Sequence, residues 1–147
     1  MAGVTKRKKA EARLRAACQA KGLKATRQRL EILEIVCAAR NHPTVDSVYR
    51  LVKARIPRIS FDTVYRTLSS FEEHKLISRV HHLDDKTRYD SNTSEHHHFV
   101  CTSCKEISDF DWPEFASLKL PPASPNFARI SQRYVEITVI RPTCARK

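Results

Sequence analysis

Nine residues, 96–104, read His-His-His-Phe-Val-Cys-Thr-Ser-Cys and are rich in side chains that bind metals. On a β-strand, His96 and His98 point to one face, while the histidine between them points to the other. Two imidazoles on one face can chelate a metal ion without distorting the backbone. Cys101 and Cys104 have the Cys-x₂-Cys spacing of a zinc knuckle, in which the turn brings both thiolates onto one ion. The pattern therefore predicts metal binding by this segment.

One Cys-x₂-Cys motif supplies only half of a four-cysteine zinc site. Cys144 is the one further cysteine near the C-terminus, and Arg141 stands where a second motif would begin. A guanidinium cation at a ligand position opposes the binding of a dication. We therefore expect one of two states for Cys101, Cys104 and Cys144. They bind zinc together with water or an outside ligand, or they form an empty site with reactive thiols.

The formal net charge of +11 is confined to the N-terminal part of the chain. Residues 1–80 contain 18 Lys and Arg against 7 Asp and Glu, whereas residues 81–147 contain nine of each sign. A basic surface attracts polyanions, and DNA is the commonest polyanion inside cells. A solvated face would give the same charge, so a docking element is needed to decide between the two.

The N-terminal part predicts helices followed by a hairpin. Apolar residues recur at helical spacing, and the predicted helices cover residues 10–20, 26–40, 44–56 and 61–74. Suitable N-cap residues precede the last three: Thr26, Thr44 and Ser60. The period then changes to two over 76–82 and 87–90, around a turn-forming stretch at 83–86. This order is typical of a winged helix-turn-helix, which would place the helix at 61–74 in a DNA major groove.

Residues 91–95 are polar and turn-prone, and they mark a predicted domain boundary. Beyond them, the pattern predicts strands at 97–101, 106–110 and 134–140 and a helical or irregular piece at 112–120. A break is expected at Pro121-Pro122, and Phe110 and Trp112 are expected in the core. The fold class is therefore α+β. It combines a winged-helix DNA-binding domain, residues 1–90, with a small α/β metal-binding and dimerisation domain, residues 91–147.

The sequence also indicates the cellular compartment of the protein. No run of eighteen apolar residues is present, so we expect no membrane span. The basic N-terminus lacks a following apolar segment, so we expect no signal peptide. Five cysteines in a reducing cytoplasm indicate metal or redox chemistry before disulfides.

Several blocks in order resemble the ferric uptake regulator (Fur) family of bacterial metalloregulators. These blocks are residues 24–29 (Lys-Ala-Thr-Arg-Gln-Arg), His42-Pro43-Thr44, residues 59–68 (Ile-Ser-Phe-Asp-Thr-Val-Tyr-Arg-Thr-Leu), Arg88-Tyr89-Asp90 and the His-x-His-x₂-Cys-x₂-Cys run. The resemblance implies a regulatory metal site formed by His42, Asp90, His96, His98 and Asp109. Three imidazoles and two carboxylates suit Fe(II) or Mn(II), although Zn(II) would compete.

The residue type at position 109 indicates which signal the protein senses. In the iron- and zinc-sensing branches of the family this position is usually Glu, and in the peroxide-sensing branch it is Asp. The resemblance therefore favours peroxide sensing through Fe(II), with His42 and His96 as the residues that become oxidised. Asp111 follows the same strand and is an alternative ligand. An iron or zinc uptake regulator without peroxide sensing remains the alternative within the family.

The same resemblance bears on partners. Tyr65 and Arg66 are expected to contact bases and phosphates of double-stranded DNA. The remaining predicted DNA contacts are Lys24, Arg27, Arg29, Ser60 and Thr63. An AT-rich inverted-repeat operator and a homodimer held by the C-terminal halves are implied.

Two further expectations concern positions that depart from the family. A third family metal site is predicted to be absent, because Glu95 and Arg133 stand where it has histidines. His97 is therefore expected to face solvent.

The alternative from another class of protein is a metal-dependent hydrolase or oxidoreductase built on the His-x-His motif. No substrate-pocket signature or nucleophile-activation pattern accompanies that motif in the sequence.

Overall fold

A computed structural model describes residues 2–81, 86–120 and 133–146 of the chain. They form two compact units, Met1–Thr93 and Ser94–Lys147. None of the described helices is both long and apolar enough to cross a membrane.

The first unit contains four helices and a two-stranded sheet. The helices are α1 (Ala2–Lys21), α2 (Arg27–Ala38), α3 (Val45–Arg55) and α4 (Phe61–Glu73). Strands β1 (Ser78–His81) and β2 (Thr87–Asp90) pair antiparallel, with Ser78 opposite Asp90. This is the predicted winged helix. Residues 83–85 of the predicted turn lie outside the described residues.

Three helices begin where the cap chemistry predicts. The hydroxyls of Thr26, Thr44 and Ser60 accept hydrogen bonds from the backbone N–H groups of the third residue beyond each. Each such cap stabilises its helix by about 1 kcal/mol. The inward stripe predicted for α4 is confirmed, because Val64, Leu68 and Phe71 are all fully buried.

Helix α1 is longer than predicted. The pattern placed its start at Ala10, but the helix begins at Ala2. Residues 2–9 lack an apolar stripe, yet Lys and Arg are good helix formers and can extend a helix that packs further along. Ala10, Leu14 and Ala17 are buried, and the burial of Leu14 and Ala17 was predicted. The guanidinium of Arg13 fastens the helix by donating to the carbonyl of Leu76.

The second unit is a three-stranded sheet with short helices. Strands β3 (His97–Cys101), β4 (Ile107–Phe110) and β5 (Glu136–Val139) are arranged in the order β4-β3-β5. Strand β3 pairs antiparallel with β4 and parallel with β5. A 3-10 helix spans Pro113–Ser117, and a short helix, α5 (Pro142–Ala145), was not predicted. The predicted break at Pro121-Pro122 lies outside the described residues.

Strand β5 has a largely exposed surface. Ile137 is 37% exposed, and the flanking Tyr134 and Ile140 are 51% and 63% exposed. Trp112 was expected in the core, but it is 39% exposed. A small sheet of three short strands buries too little apolar surface to cover these side chains by itself.

Candidate metal centres and nucleic-acid interface

The first unit brings His42 and Asp90 together. Nε2 of His42 lies 3.1 Å from Oδ2 of Asp90, and both side chains are buried. His42 has a φ of 49°, in the left-handed region that residues with a Cβ rarely adopt. Such a conformation costs about 1–3 kcal/mol and persists where the surrounding structure imposes it, which is common at functional sites.

Strand β2 and Asn92, two residues beyond its end, hold His42 and Asp90 in this arrangement. The backbone N–H of Tyr89 donates to the carbonyl of Pro43 at 3.0 Å, and Arg88 Nη1 donates to the carbonyl of His42 at 3.3 Å. The backbone N–H of Asn92 donates to Oδ1 of Asp90 at 2.7 Å, which leaves Oδ2 directed toward His42. One imidazole and one carboxylate are thereby held on a rigid backbone.

The second unit brings His96, His98 and Asp109 together. The rings of His96 and His98 are 4.7 Å apart, as predicted for residues on one face of a strand. Asp109 is the register partner of His98 on β4, and its Oδ1 lies 3.6 Å from Nε2 of His98 and 3.9 Å from Nε2 of His96. Nδ1 of His96 donates to the carbonyl of Ser94 at 2.8 Å, which places the proton on Nδ1 and the lone pair on Nε2, the tautomer that binds metals through Nε2.

His97 does not face solvent as expected. It is 3% exposed, and its ring packs against Phe110, Phe115 and Trp112 at centroid distances of 5.3, 4.7 and 6.3 Å. The alternation of the strand was predicted correctly, but its second face is covered by the end of β4 and the 3-10 helix. That cover comes from residues 110–115, whose position relative to β3 the sequence pattern does not show.

A second possible ligand set lies elsewhere in the same unit. The Sγ atoms of Cys101, Cys104 and Cys144 lie within 4.8 Å of one another. Backbone N–H groups of Cys104 and Arg141 point at the sulfur of Cys101, and they lower the pKa of its thiol from 9.0 to about 6. Local desolvation of the sulfur, followed by interactions with the thiols of Cys101 and Cys144, raises the pKa of the Cys104 thiol, although the residue as a whole is exposed. Three soft thiolate donors of this kind suit zinc.

Arg141 borders the cysteines as expected. Its Nη1 lies 3.9 Å from Sγ of Cys104 and forms an ion pair with the carboxylate of Glu106. A second pair, unexpected from the sequence, joins Arg133 Nε to Glu95 Oε1 at 3.0 Å. These are the two positions at which the resemblance predicted the absence of a third metal site, and an ion pair joins them.

Helix α4 presents its polar face to solvent. Tyr65 is 46% exposed, and the Arg66 guanidinium lies 3.8 Å from Asp62 in an exposed pair that contributes little to stability. Arg29 and Arg66 line one surface pocket of about 350 Å³. Two cations beside one concavity suit the binding of phosphate oxygens.

The other predicted DNA-contact residues have mixed roles. The hydroxyls of Ser60 and Thr63 lie 2.8 Å apart at the start of α4, where Ser60 also caps the helix. Arg29 donates to the carbonyl of Lys24 at 2.8 Å. Lys24 and Arg27 are exposed. Ser60 and Arg29 therefore also stabilise the backbone around them, at the starts of α4 and α2.

A winged helix with exposed cations, followed by clustered metal-ligand side chains, defines a metal-dependent, DNA-binding class of regulator. The family model for the ferric uptake regulator family matches residues 20–135. The chain therefore belongs to this family, whose members bind DNA as dimers.

Relatives and solved structures agree with that placement. The chain is 32% identical over 126 residues to the peroxide operon regulator of Bacillus subtilis, which covers 86% of this chain and 87% of that protein. The fold is similar to that of the Helicobacter pylori ferric uptake regulator Fur, with a TM-score of 0.74 at 22% identity over 95% and 93% of the two chains. The Campylobacter jejuni peroxide stress regulator gives a TM-score of 0.62 at 30% identity over 87% and 96%.

The family decides between the classes considered from the sequence. The chain is a metal-dependent transcriptional regulator and not an enzyme built on the His-x-His motif. Its described residues include His/Asp and Cys clusters that could bind metal ions.

Proposed function

We propose that the protein is a cytoplasmic repressor that releases its operator when peroxide oxidises a regulatory metal site. The proposed ligands are His42, Asp90, His96, His98 and Asp109, and the proposed ion is Fe(II) or Mn(II). Each of the two sets by itself offers too few donors for these ions, which take about six ligands. Together they offer three imidazoles and two carboxylates.

The observation that carries this proposal is the backbone support of each set. In the first unit Asn92 orients Asp90, and in the second Ser94 fixes the tautomer of His96. Such supporting contacts orient metal ligands and raise their affinity. Imidazoles and carboxylates whose orientation is set by such backbone contacts support a metal-binding role.

Metal dependence of DNA binding follows from where the ligands lie in the sequence. Two belong to the unit that carries α4 and three belong to the unit that carries the sheet. An ion that takes ligands from both restricts the arrangements available to the dimer. If the DNA-competent arrangement binds the metal more tightly than the others, metal binding raises its population in proportion to that difference in affinity.

Asp109 supports peroxide sensing, as do two of the three named proteins, which are peroxide regulators. Bound Fe(II) would catalyse cleavage of the O–O bond of peroxide without being consumed, so that the imidazole ring is the group that is oxidised. The chain's own contribution is to hold the ring carbons of His42 and His96 next to the ion. Each ring takes one oxygen atom from hydrogen peroxide, and the other oxygen leaves as water. An oxygenated imidazole binds metal poorly, so metal and then DNA are released.

DNA binding is proposed for the exposed face of α4 and for the residues around the start of α2. Tyr65 and Arg66 would contact bases and phosphates, with Ser60 and Thr63 beside them at the start of α4. Lys24, Arg27 and the half-buried Arg29 would contact phosphates, because cations there add affinity without reading sequence. The target is an AT-rich inverted repeat, which matches a two-fold dimer.

The homodimer is proposed to form through the C-terminal unit. Ile137, Ile140 and Tyr134 leave apolar surface exposed along β5, and such patches mark association surfaces. At the three cysteines we propose Zn(II), since three thiolates within reach of one ion match its preferred donors.

The experiment that tests the proposal is fluorescence anisotropy on an AT-rich inverted-repeat duplex. Protein loaded anaerobically with Fe(II) should bind and then release the duplex after a small excess of peroxide, whereas Mn(II)-loaded protein should stay bound. Mass spectrometry should find a gain of one oxygen on the peptides of His42 and His96. Retention of DNA by the Fe(II) form through peroxide would identify an iron or manganese sensor instead.

A further inference from the structure

The three-cysteine cluster differs from a closed zinc site in what surrounds its sulfurs. Cys101 ends β3, Cys104 lies in the turn that follows, and Cys144 lies in α5. Cys101 is buried and Cys104 is exposed. An ion bound by all three sulfurs would therefore be reachable from the side of Cys104.

Arg141 marks that reachable side. Its Nη1 lies 3.9 Å from Sγ of Cys104, and the same guanidinium pairs with Glu106. A guanidinium has five donors and no lone pair, so Arg141 cannot itself bind a metal. It can donate charge-assisted hydrogen bonds to a negatively charged group that comes to lie beside the ion.

Within the described ranges, 2–81, 86–120 and 133–146, no fourth His, Cys, Asp or Glu joins the three sulfurs within 4.8 Å. Zinc in a protein takes four ligands, and a site with three protein ligands keeps its fourth position for an exchangeable group. Zinc with three thiolates carries one net negative charge, and Glu106 offsets the charge of its partner Arg141. An incoming anion therefore needs the hydrogen bonds that the remaining N–H donors of Arg141 can give it.

We propose that the Cys101, Cys104 and Cys144 cluster holds its metal with an open fourth position, which takes a small exogenous anion guided by Arg141. This rests on the zinc assignment proposed above. The cluster is then a ligand-exchange site, in contrast to a four-cysteine site, which is closed to small molecules.

Cobalt substitution of the full chain tests this, with azide as the probe. Metal-free protein is loaded anaerobically with Co(II), and the thiolate-to-cobalt charge-transfer band is followed, because only sulfur ligands produce it. A variant with all three cysteines replaced by serine gives the baseline. Azide should shift the band in the unmodified chain. In Arg141→Cys a fourth thiolate fills the position, so the band should be stronger and azide should leave it unchanged.

Arg141→Gln isolates the role of the charge. This variant keeps three sulfurs, so azide should still shift the band, but half-saturation should need about tenfold more azide, as expected for the loss of one charge-assisted hydrogen bond. Glu106→Gln should leave the azide-free spectrum unchanged.

The outcomes separate the two proposals. Absence of the charge-transfer band in the unmodified chain overturns both the zinc assignment and the open position. A band that azide leaves unchanged in the unmodified chain overturns only the open position. A changed azide-free spectrum in Glu106→Gln identifies that carboxylate as the fourth ligand and also overturns it.

Discussion

Nδ1 of His97 accepts a hydrogen bond from the backbone N–H of Val135 at 3.1 Å, and this joins β3 to the residue that precedes β5. His97 lies on the face of the strand opposite His96 and His98. The contact therefore holds in place β3, which carries the proposed metal ligand His98 and directly follows the proposed ligand His96.

Replacement of His97 by Ala should destabilise the C-terminal unit by about 2–4 kcal/mol. The change leaves the N–H of Val135 without its acceptor and opens a cavity beside Phe110 and Phe115. Urea unfolding followed by circular dichroism measures the loss. Ser108→Ala, an exposed position on β4, is the matched control and should change the unfolding free energy by less than about 0.5 kcal/mol. An equal effect of the two variants would contradict the structural role of His97.

Asp109 and Asp111 are distinguished by metal affinity. Asp109 faces the two histidines, whereas Asp111 is exposed beyond the end of β4. Asp109→Asn should weaken Mn(II) binding by at least about tenfold, and Asp111→Asn should leave it unchanged. Titration followed by the electron paramagnetic resonance of free Mn(II) measures both. A larger effect at Asp111 would show that it is the ligand.

The Cys101 thiol should give the metal-free protein a characteristic pH dependence. Its folded pKa of about 6 lies below the ordinary 9.0, so between these values the folded state binds fewer protons than the unfolded state. Stability should therefore rise with pH across this window, and the contribution should be lost as pH falls through about 6.

Urea unfolding at pH 6 and pH 8 with a chelator present, compared between the unmodified chain and Cys101→Ser, measures this contribution. The difference between the two proteins should be greater at pH 8. A pH-independent difference would show that the thiol is protonated throughout. The raised pKa of Cys104 places its own titration above this window.

Lys24 should contribute affinity without specificity. Lys24→Gln should reduce the slope of log affinity against log salt by about 0.9, the amount expected for one phosphate contact. The loss should be the same on operator and random duplex DNA. Anisotropy at several salt concentrations provides the measurement. Lys119→Gln, an exposed cation of the other unit, is the control, and a similar change in slope for it would argue against a specific contact at Lys24.

Arg133 should contribute more to the unfolding free energy through its other contacts than through its ion pair with Glu95. The two side chains are 26% and 51% exposed, so the charge interaction contributes below about 1 kcal/mol. Arg133 also donates to the carbonyl of Ala116 at 3.1 Å and lies 5.4 Å from the centre of the Phe115 ring. Arg133→Ala should therefore lower the unfolding free energy more than Glu95→Gln. A double-mutant cycle that assigns the whole effect to the pair would contradict this.

Local chemistry allowed most of the elements to be predicted. The helix caps at Thr26, Thr44 and Ser60 and the alternation of β3 depend on neighbouring residues, and the structure confirms them. The predictions were wrong where contacts between residues far apart in the sequence determine the structure. The early start of α1 depends on its anchoring through Ala10 and Arg13, and the burial of His97 depends on the 3-10 helix that covers it.

The sequence by itself determined which side chains could bind a metal, because residue type and spacing fix donor chemistry and the face of a strand. The left-handed backbone of His42, the register of Asp109 against His98 and the ion pairs of Arg141 and Arg133 were decided only by tertiary structure. Each depends on residues that lie at least ten positions apart in the chain. Side-chain periodicity carries no information about such distances, since chain folding alone sets them.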